Sequence, residues 1–591
     1  MGSPAGGISI TLTQRSPVRA ACAPRTLSPP HEPVVNHKLT AGPLGSRATA
    51  PGLGCNNGGW RMCGFAVAIG WADAELTVAR LIDGILHRGD ITDPLFTPFQ
   101  NVAMCTRRLR IVDAEHGIQP QISFFGRLAV SYNGEIYNHV ELRQELEEMG
   151  VGFRTQSDTE VLANALQVWG HRALERLNGM YAFVAVDLAS GEFLAARDPF
   201  GVKPLYVMQQ GTSFLFCSEM KPLLDVVPVG DVMLLPPGYA MSKKAVARYR
   251  SSVYPRVDVP VESSARSLDD ILRGAVERRL PPDLPVATWF SGGIDSTLVA
   301  HYARQLRPQA PGYFVGGPDA PDYRFAEAYA EKSGYDLRLV PFDTQSSEAF
   351  AAIDDVVTAT ESFEPNLIRS ALASLEASKA MHRDGFRVGL CGEGADELFC
   401  GYAPLEIAFH ESPADGAQCR DECLSLMHRV SLQRVDRCSM RHALEMREPF
   451  LDPAVVNYAL GLAPEALVRA VDGLPTGKMP LRELYDLYPD QLPAVIRNRA
   501  KVAFGEGAGL DPGRDGWMSR FEDVYSDRDL HEGQQEFAAF KVQSKEELYY
   551  LRRLATVIEV ARVPHLTDRA WISFPVVQHL EKLKAYAHFS L

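Results

Sequence analysis

The stretch VATWFSGGIDSTLVAHYARQL, which begins at residue 286, most constrains the fold of this chain. Its apolar start predicts a strand, its small residues predict a loop, and its later apolar period predicts a helix. Gly292 and Gly293 allow the backbone to approach an anion closely, and the hydroxyls of Ser291 and Ser296 suit a phosphate or pyrophosphate. Asp295 is suited instead to Mg²⁺, which neutralises phosphate charge. A plain strand–turn–helix corner is the alternative, and the S-G-G-x-D-S spacing disfavours it. The loop is not a Walker A loop, because it lacks the G-x-x-x-x-G-K-[ST] pattern.

A second loop, LCGEGADELFCGY (390–402), also follows a predicted strand and opens a predicted helix. Glu393, Asp396 and Glu397 crowd the carboxyl end of that strand, which is where ligands bind in open α/β sheets. Glu393 is therefore a candidate general base and Asp396 a candidate second magnesium ligand. An acidic helix N-terminus stabilised by the helix dipole is the alternative interpretation.

The pattern of apolar residues predicts two folded regions. From 63 to about 255 it indicates short strands with two helices, and hairpins turning at Asn133-Gly134 and Ser190-Gly191, which is typical of an α+β sheet domain. From about 265 to 591, helices alternate with a few apolar strands. That alternation predicts a parallel sheet with helices on both faces.

Residues 1–62 differ from the rest of the chain, because they are rich in Pro, Gly, Ala, Ser and Thr and show no sustained period. The segment carries six basic residues and one acidic residue, namely Arg15, Arg19, Arg25, Lys38, Arg47, Arg61 and Glu32. It cannot bury enough apolar surface to offset its ordering entropy, so we expect disorder. A targeting or pro-segment, a start codon assigned upstream of Met62, and a retained tail are all left open.

Charge and cysteine usage exclude several classes of protein. The net charge of −13 argues against a nucleic-acid binder, and the absence of an apolar run of eighteen residues argues against a membrane span. The ten cysteines are scattered without the density of a disulfide scaffold, so we expect reduced thiols and a cytoplasmic protein.

Ordered motifs along nearly the whole chain resemble those of one family. SGGIDS, GEGADELF, MREPFLD (446–452) and RAKVAFGEGAG (499–509) resemble, in that order, the synthetase half of glutamine-dependent asparagine synthetases. MCGF, HRGD, RLRIVD, NGEIYN, QSDTE and ARDPFGVKPLY resemble the glutaminase half. The resemblance covers about 63–560 and implies an α/β protein with two domains. An Ntn-hydrolase-type αββα glutaminase domain would precede an ATP-pyrophosphatase domain of the PP-loop, adenine nucleotide alpha hydrolase-like type, with a doubly wound parallel sheet.

For the glutaminase half, the resemblance implies that Cys63 is the nucleophile and that its own free α-amino group is the general base. An amine held in a peptide bond cannot accept a proton, so this role requires the absence of residues 1–62. Removal of an initiator Met62, or proteolysis, would expose Cys63.

The resemblance also implies the glutamine-binding residues. Arg108 matches the arginine that binds the α-carboxylate, and Asp158 matches the acidic partner of the ammonium group. Asn133 and Gly134 match the oxyanion hole, and Glu135 matches a further substrate contact. Taken without the family, Arg108 and Asp158 would be interpreted as surface ion pairs.

For the synthetase half, the resemblance implies that ATP is cleaved to AMP and pyrophosphate through an acyl-adenylate that ammonia then attacks. The matching nucleotide-binding residues are Ser291, Gly292, Gly293, Asp295, Ser296, Val315, Cys391 and Gly392. Glu393 would assist the attack of ammonia, and Lys501 would stabilise the leaving group. Asp295 and Asp396 match magnesium ligands, so ATP and Mg²⁺ are the implied cofactors. An internal tunnel for ammonia is implied as well.

The acceptor is the least constrained prediction. The chain departs from the family in HRGDITDP, which lacks the usual proline, and in Cys391 and Cys400, which stand where serine and glycine are usual. Relatives that form β-lactams replace the position of Glu393 by tyrosine and lose the nucleophilic cysteine, whereas this chain keeps both, which favours ammonia as the nucleophile. Aspartate is the expected acceptor. Amidation of another carboxylic acid, a catalytically silent scaffold with Cys63 blocked, and a homodimer are left open.

Overall fold

The structure, a computed structural model, describes residues 63–113, 115–250, 264–502, 504–510 and 516–567. The predicted leader 1–62, the domain boundary predicted near 255 and the residues beyond 567 lie outside these ranges. Within them, no helix has both the length and the apolar character that a bilayer span requires. The eight cysteines that are described form no disulfide.

The first domain contains thirteen of the described strands and five of the described helices. Its strands are β1 Gly64–Ile69, β2 Ile91–Thr92, β3 Phe96–Phe99, β4 Val102–Arg108, β5 Gln121–Ile122, β6 Leu128–Ile136, β7 Gly179–Asp187, β8 Phe193–Arg197, β9 Tyr206–Gln210, β10 Ser213–Cys217, β11 Val232–Leu234, β12 Tyr239–Met241 and β13 Val246–Arg248. Its helices are α1 Ala74–Asp83, α2 His139–Glu148, α3 Asp158–Trp169, α4 Ala173–Arg176 and α5 Met220–Val226.

These strands form two antiparallel sheets that pack face to face. One sheet has the order β11-β9-β10-β1-β4-β2, with β3 also paired to β4, and the other has the order β13-β12-β8-β7-β6-β5. Phe65 and Val67 of β1 share a buried cluster with Val184 of β7, so the alternate residues of both sheets fill the layer between them. Helices α2 and α3 cover the outer face of the second sheet and α1 and α5 that of the first, which gives the expected αββα layering.

Two sequence predictions for this domain are wrong. The described residues contain five helices rather than two. Asn133-Gly134 does not turn the chain, because β6 runs through both residues and pairs with β7 from Leu128 to Ile136. A Cβ atom on Gly134 would lie 2.0 Å from the Met180 carbonyl oxygen, so the glycine serves close strand approach rather than a turn. The predicted hairpin at Ser190-Gly191 is confirmed between β7 and β8.

The second domain is mostly helical around a small sheet. Its strands are β14 Val286–Trp289, β15 Gly312–Val315, β16 Leu337–Val340, β17 Val388–Leu390, β18 Glu445–Arg447, β19 Arg469–Val471 and β20 Leu474–Thr476. Its helices are α6 Ala265–Arg278, α7 Ile294–Leu306, α8 Tyr323–Ser333, α9 Ser347–Thr360, α10 Pro365–Arg383, α11 Ala395–Phe399, α12 Ala403–Glu411, α13 Pro413–Leu426, α14 Ser431–Met440, α15 Pro453–Gly461, α16 Pro464–Leu467, α17 Met479–Leu487, α18 Ala494–Arg497, α19 Phe504–Gly507, α20 Ser519–Glu522, α21 Asp527–Glu536 and α22 Lys545–Val557.

Five parallel strands in the order β16-β15-β14-β17-β18 form the sheet of this domain. Val286 points to the face where Leu298 of α7 packs, and Ala287 points to the opposite face, where Ala377 of α10 packs. The sheet is thus covered by helices on both sides, as the sequence predicts for a parallel α/β domain. The loops after β14 and β17 leave the same edge side by side, because these two strands are neighbours.

Buried ion pairs join the two domains. Arg88 is fully buried and contacts Asp436 at 3.0 Å, while Arg437 contacts Glu219 at 3.0 Å. Glu361, also fully buried, accepts a hydrogen bond from the backbone amide of Lys221 at the start of α5. The two domains therefore meet through paired charges excluded from water, for which loss of one partner is costly.

Candidate active sites

Cys63 lies immediately before β1, and its sulfur is held by the segment that follows β4. The Leu109 amide donates a hydrogen bond to Sγ at 3.1 Å. Burial raises the pKa of the Cys63 thiol to about 12, although the Leu109 amide and the charges of Arg108 and Lys203 oppose that rise. The sulfur is therefore protonated at neutral pH, and a base has to take its proton before or during nucleophilic attack.

Asn133 has a buried side-chain amide without a described hydrogen-bond partner. It is fully buried in β6, and neither its Nδ2 nor its Oδ1 has a hydrogen-bond partner among the described residues. An unsatisfied buried amide costs roughly 1–3 kcal/mol, so such a group in a native fold calls for a ligand or a catalytic role. Its donor is of the kind that stabilises an oxyanion.

Arg108 and Asp158, two of the predicted glutamine-binding residues, are buried and already engaged. Arg108 donates through Nε to the carboxylate of Asp93 at 3.1 Å. Asp158 accepts hydrogen bonds from the Tyr132 hydroxyl at 2.9 Å and from the Ile136 amide at 3.1 Å. Burial raises the pKa of Asp158. The structure thus places Arg108 and Asp158 inside the domain rather than in surface ion pairs.

Glu135 faces the second domain. Its carboxylate accepts a hydrogen bond from Arg447 at 2.8 Å, and burial raises its pKa to about 8 against the opposing charge of Arg447. Arg447 also pairs with Glu445 at 2.9 Å. The predicted substrate contact of Glu135 therefore requires a carboxylate that the structure shows bound to the neighbouring domain.

The two predicted phosphate loops touch one another. Gly292 has φ +66°, and a Cβ there would lie 2.6 Å from the Ala326 amide nitrogen, so this corner requires glycine. A Cβ on Gly392 of the second loop would lie 2.8 Å from the Cβ of Asp295 in the first. Ser296 and Ser291 are linked through their hydroxyls at 3.1 Å. Both loops thus form one surface at the carboxyl edge of the sheet.

Asp295 and Asp396 converge on two lysines. Lys478 contacts Asp295 at 2.5 Å and also pairs with Asp396, while Lys501 contacts Asp396 at 2.6 Å. Burial alone would raise the pKa of Asp396, but Lys478 and Lys501 overcome that effect and hold it at about 2. Burial raises the pKa of Asp295, which Lys478 and Lys501 oppose. Two converging carboxylates next to a phosphate loop are the donor set that Mg²⁺ takes together with phosphate oxygens. The residues present therefore fit a magnesium–nucleotide complex.

Glu393 and Arg434 form a pair on the rim of these loops. Arg434 in α14 donates to the Glu393 carboxylate and, through its other terminal nitrogen, to the Ser374 hydroxyl at 2.7 Å. Glu393, Arg434 and Lys501 line one cavity of about 60 Å³ with both loops. Cys391 is buried in that lining, and burial raises its pKa. Val315 is buried at the carboxyl end of β15, one strand away from the first loop.

Three residues of these sites, Lys478, Arg434 and Arg447, were not predicted from the sequence. Lys478 adopts φ +57° just before α17, and no motif marks it. Arg434 lies in a helix whose local pattern is that of an amphipathic surface helix. Arg447 stands in the recognised MREPFLD motif, but its contact with Glu135 joins residues 312 positions apart, which no local pattern reveals.

Comparisons with known proteins match both halves of the chain. A family model described as a glutamine amidotransferase domain matches residues 62–258, and one described as asparagine synthase matches residues 267–412 and 408–559. A curated relative from Triphysaria versicolor, asparagine synthetase [glutamine-hydrolyzing], is 31% identical over 83% of this chain and 85% of its own length.

A second relative, asparagine synthetase [glutamine-hydrolyzing] 1 of Arabidopsis thaliana, is 30% identical over 78% of this chain and 80% of its own length. Among solved structures, glutamine phosphoribosylpyrophosphate amidotransferase from B. subtilis matches with a TM-score of 0.28 and 19% identity, over 56% of this chain and 81% of that one. That score is too low to carry an inference. The two family models and the length of the shared sequence confirm the resemblance: this chain belongs to the family of glutamine-hydrolysing asparagine synthetases.

Proposed function

We propose that this protein hydrolyses glutamine at Cys63 and transfers the released ammonia to a carboxylate activated by ATP, with aspartate as the acceptor and asparagine as the product. The observation that most directly supports a working glutaminase is the buried side-chain amide of Asn133, which has no hydrogen-bond partner among the described residues. Membership of the family supports ATP as the nucleotide, and the converging carboxylates support Mg²⁺.

In the glutaminase step, the Cys63 sulfur attacks the side-chain amide carbon of glutamine while a base takes the thiol proton. The amide oxygen gains charge, and the Asn133 Nδ2 donor, which has no competing partner among the described residues, stabilises it. The base returns that proton to the amide nitrogen, which leaves as ammonia when the C–N bond breaks, and water then hydrolyses the thioester to glutamate and frees the thiol. The base we propose is the α-amino group of Cys63, whose ordinary pKa near 8 suits it to accept the proton.

In the synthetase step, the acceptor carboxylate attacks the α-phosphorus of ATP and pyrophosphate leaves. The loop amides and hydroxyls around Gly292 and Ser296 would hold the phosphates, and Lys501 would stabilise the departing charge. Asp295 and Asp396 would hold the magnesium ion, which supplies charge neutralisation when bound. Glu393 would then take a proton from ammonia as its nitrogen attacks the acyl carbon.

Arg434 supports an acceptor with a second negative charge. Arg434 lines the cavity beside Glu393. In the structure its guanidinium donates hydrogen bonds to the Glu393 carboxylate and to the Ser374 hydroxyl. An acid such as aspartate would offer its α-carboxylate to Arg434 in a bidentate pair and so release Glu393 for catalysis. A monocarboxylic acceptor would leave the pair closed. Amidation of another carboxylic acid remains the second candidate, since no motif specifies aspartate.

The decisive experiment supplies the protein with glutamine, ATP, Mg²⁺ and a panel of carboxylic acids, and measures AMP, glutamate and new amide. We expect aspartate to give asparagine with equal amounts of AMP. The Cys63→Ala variant should lose glutamine-dependent but keep ammonia-dependent synthesis. If another acid is amidated and aspartate is not, the acceptor assignment is wrong. If no acid gives AMP, the synthetase proposal is wrong.

The proposed base has its own test. A chain that starts at Cys63 and one that keeps the preceding residues should be compared for glutamine hydrolysis, with mass spectrometry of the N-terminus. We expect hydrolysis only where the α-amine of Cys63 is free. Ammonia-dependent synthesis should be equal in the two forms and so serves as the control for folding. Inactivity of both forms towards glutamine would instead favour a silent scaffold.

A further inference from the structure

One segment of the second domain touches both candidate active sites. Arg447 at the end of β18 pairs with Glu135 of the glutaminase domain at 2.8 Å, and its carbonyl oxygen accepts a hydrogen bond from the Cys391 amide of the second loop at 3.1 Å. Glu448 is the next residue. Its side chain therefore starts from a point between the two sites.

Glu448 is buried without a partner for one of its oxygens. The residue is 2% exposed, and Oε1 accepts no hydrogen bond within the part of the chain that the structure describes. The Tyr137 hydroxyl from the glutaminase domain and the Nε of Arg279 from the end of α6 are likewise buried without a partner among those residues. The Arg279 guanidinium lies 4.4 Å from the centre of the Tyr137 ring.

These three groups belong to one neighbourhood. Arg279 and Glu448 both act electrostatically on Tyr137, and Arg279 acts on Glu448. Leaving two donors and an acceptor unsatisfied inside a protein is costly, so a small polar molecule is needed to complete their hydrogen bonds. Three elements of two domains thus each bring a buried polar atom without a described partner to this part of the junction.

Three neighbouring carboxylates, those of Asp198, Asp452 and Glu445, are already engaged. Asp198 accepts from four backbone amides, those of Tyr181, Phe200, Val202 and Lys203. Asp452 binds Arg278 and Arg279, and Glu445 binds Arg447. Glu448 differs from these three carboxylates, because its Oε1 has no partner among the described residues.

Burial favours the protonated form of Glu448 at neutral pH. Burial raises its pKa to about 8, Asp198 and Glu445 add to that rise, and Lys203 and Arg279 oppose it. The same Lys203 charge acts on the Cys63 thiol, and the Glu448 charge acts on Cys391. Glu448 is thus electrostatically linked with the nucleophile of one domain and with the second loop of the other.

We propose that Glu448 Oε1 and the Tyr137 hydroxyl form a holding site for the ammonia that passes from Cys63 to the acyl-adenylate. The inference rests on the proposed function. Ammonia accepts the carboxyl proton, so that one O–H bond breaks, one N–H bond forms, and an ammonium–carboxylate pair results. The proton returns to Glu448 when the nitrogen moves on, so no proton is consumed and the nitrogen leaves as neutral ammonia.

Two variants of Glu448 test the site through the yield of nitrogen transfer. Wild-type protein and the Glu448→Leu and Glu448→Gln variants are given glutamine, ATP, Mg²⁺ and aspartate, and glutamate formed per AMP is measured. We expect this ratio to rise roughly threefold or more in Glu448→Leu, while glutamine hydrolysis and synthesis from saturating ammonium chloride each stay within about twofold of wild type. Glu448→Gln should fall between the two, since an amide hydrogen-bonds ammonia but cannot exchange a proton with it.

A second readout does not depend on the acceptor. At pH 7, ammonium chloride titrated into wild-type protein should diminish the infrared absorption of a protonated carboxyl, and Glu448→Gln should lack that change. Glu546→Gln is the matched control, because Glu546 is an equally buried carboxyl in α22 that is satisfied by the Tyr550 hydroxyl. It should behave as wild type in both measurements.

The inference is overturned if Glu448→Leu keeps the wild-type ratio, or if ammonium chloride leaves the infrared spectrum of wild-type protein unchanged, in which case the site holds only water. If Glu448→Leu loses stability and both activities together, the infrared comparison between wild-type protein and Glu448→Gln decides whether ammonia binds at Glu448. Failure of the proposed function would look different, because wild-type protein itself would then form no glutamate or no AMP.

Discussion

At the scale of single residues, buried polar atoms without partners are the most informative feature of this molecule. Most buried polar groups in folded proteins are hydrogen-bonded, so each exception needs a reason. Asn133 lies in β6 of the first domain and Glu448 follows β18 of the second, and both have side-chain atoms without partners among the described residues. Neither case is explained by packing, and both are explained by a ligand that comes and goes.

Asn133→Ala should separate catalysis from stability. We expect glutamine hydrolysis to fall by roughly 10²–10³-fold, because an oxyanion donor is lost. Ammonia-dependent synthesis should be unchanged, since Asn133 belongs to the glutaminase domain. The free energy of unfolding should change little, because removal of an unsatisfied amide offsets the small cavity. A large loss of both activities would show instead that Asn133 supports the fold.

Arg434→Met should weaken the proposed acceptor site. Loss of a charge-assisted contact with the acceptor is expected to raise KM for aspartate by roughly 10–100-fold, while glutamine hydrolysis without acceptor stays unchanged. Arg434→Lys should raise KM less than Arg434→Met, because it keeps the positive charge. It should still raise KM above the wild-type value, because lysine lacks the planar fork that binds a carboxylate through two hydrogen bonds. Steady-state kinetics of AMP formation measures the effect. An unchanged KM in both variants would remove Arg434 from acceptor recognition.

At the scale of elements, local pattern predicted the parallel β14–loop–α7 unit but misplaced one hairpin. The strand, glycine loop and helix around Gly292 are encoded within some twenty consecutive residues, so the sequence alone defines them. Asn133-Gly134 has strong turn propensity, yet the nine-residue pairing of β6 with β7 overrides it. Contacts such as that of Glu135 with Arg447 depend on how two domains meet, and no local propensity encodes them.

Gly292→Ala should disable the first loop without disturbing the other domain. The left-handed backbone at Gly292 and the 2.6 Å approach to the Ala326 amide leave no room for a methyl group. We expect AMP formation to be lost and glutamine hydrolysis to persist. Gly317→Ala is the matched control, because a Cβ there meets nothing within 4 Å. Equal AMP formation by the wild type and Gly292→Ala would contradict the phosphate-binding role.

At the scale of the whole molecule, the junction that holds the two domains together also contacts both candidate active sites. Arg88 contacts the Cys63 carbonyl oxygen at 3.2 Å as well as Asp436 and Glu219, so Cys63 is linked through Arg88 to the second domain. An apolar cluster that includes Trp289, Cys391 and Met446 of that domain also packs against Cys63. Cys63 and the second loop thus pack against the same apolar cluster at the domain junction.

The pH dependence of stability should report the buried carboxyl of Glu448. Its pKa is about 8 in the folded protein against an ordinary value of 4.5, so the folded state binds more protons between these values. The free energy of unfolding therefore falls as pH rises from about 4.5 to about 8, and it is constant with respect to this group outside that window. Replacing Glu448 by a residue that does not ionise should abolish this decrease in the free energy of unfolding.

Glu448→Gln should accordingly match wild-type stability near pH 5 and exceed it near pH 8.5, by at most about 4–5 kcal/mol, which is the upper limit set by the pKa difference. Glu135 has a similarly raised pKa, but it is common to both proteins and cancels in the comparison. Calorimetric unfolding temperatures across this range measure the difference. A stability gap that stayed constant with pH would mean that Glu448 is not protonated in the folded junction, and the proton exchange with ammonia proposed there would fail with it.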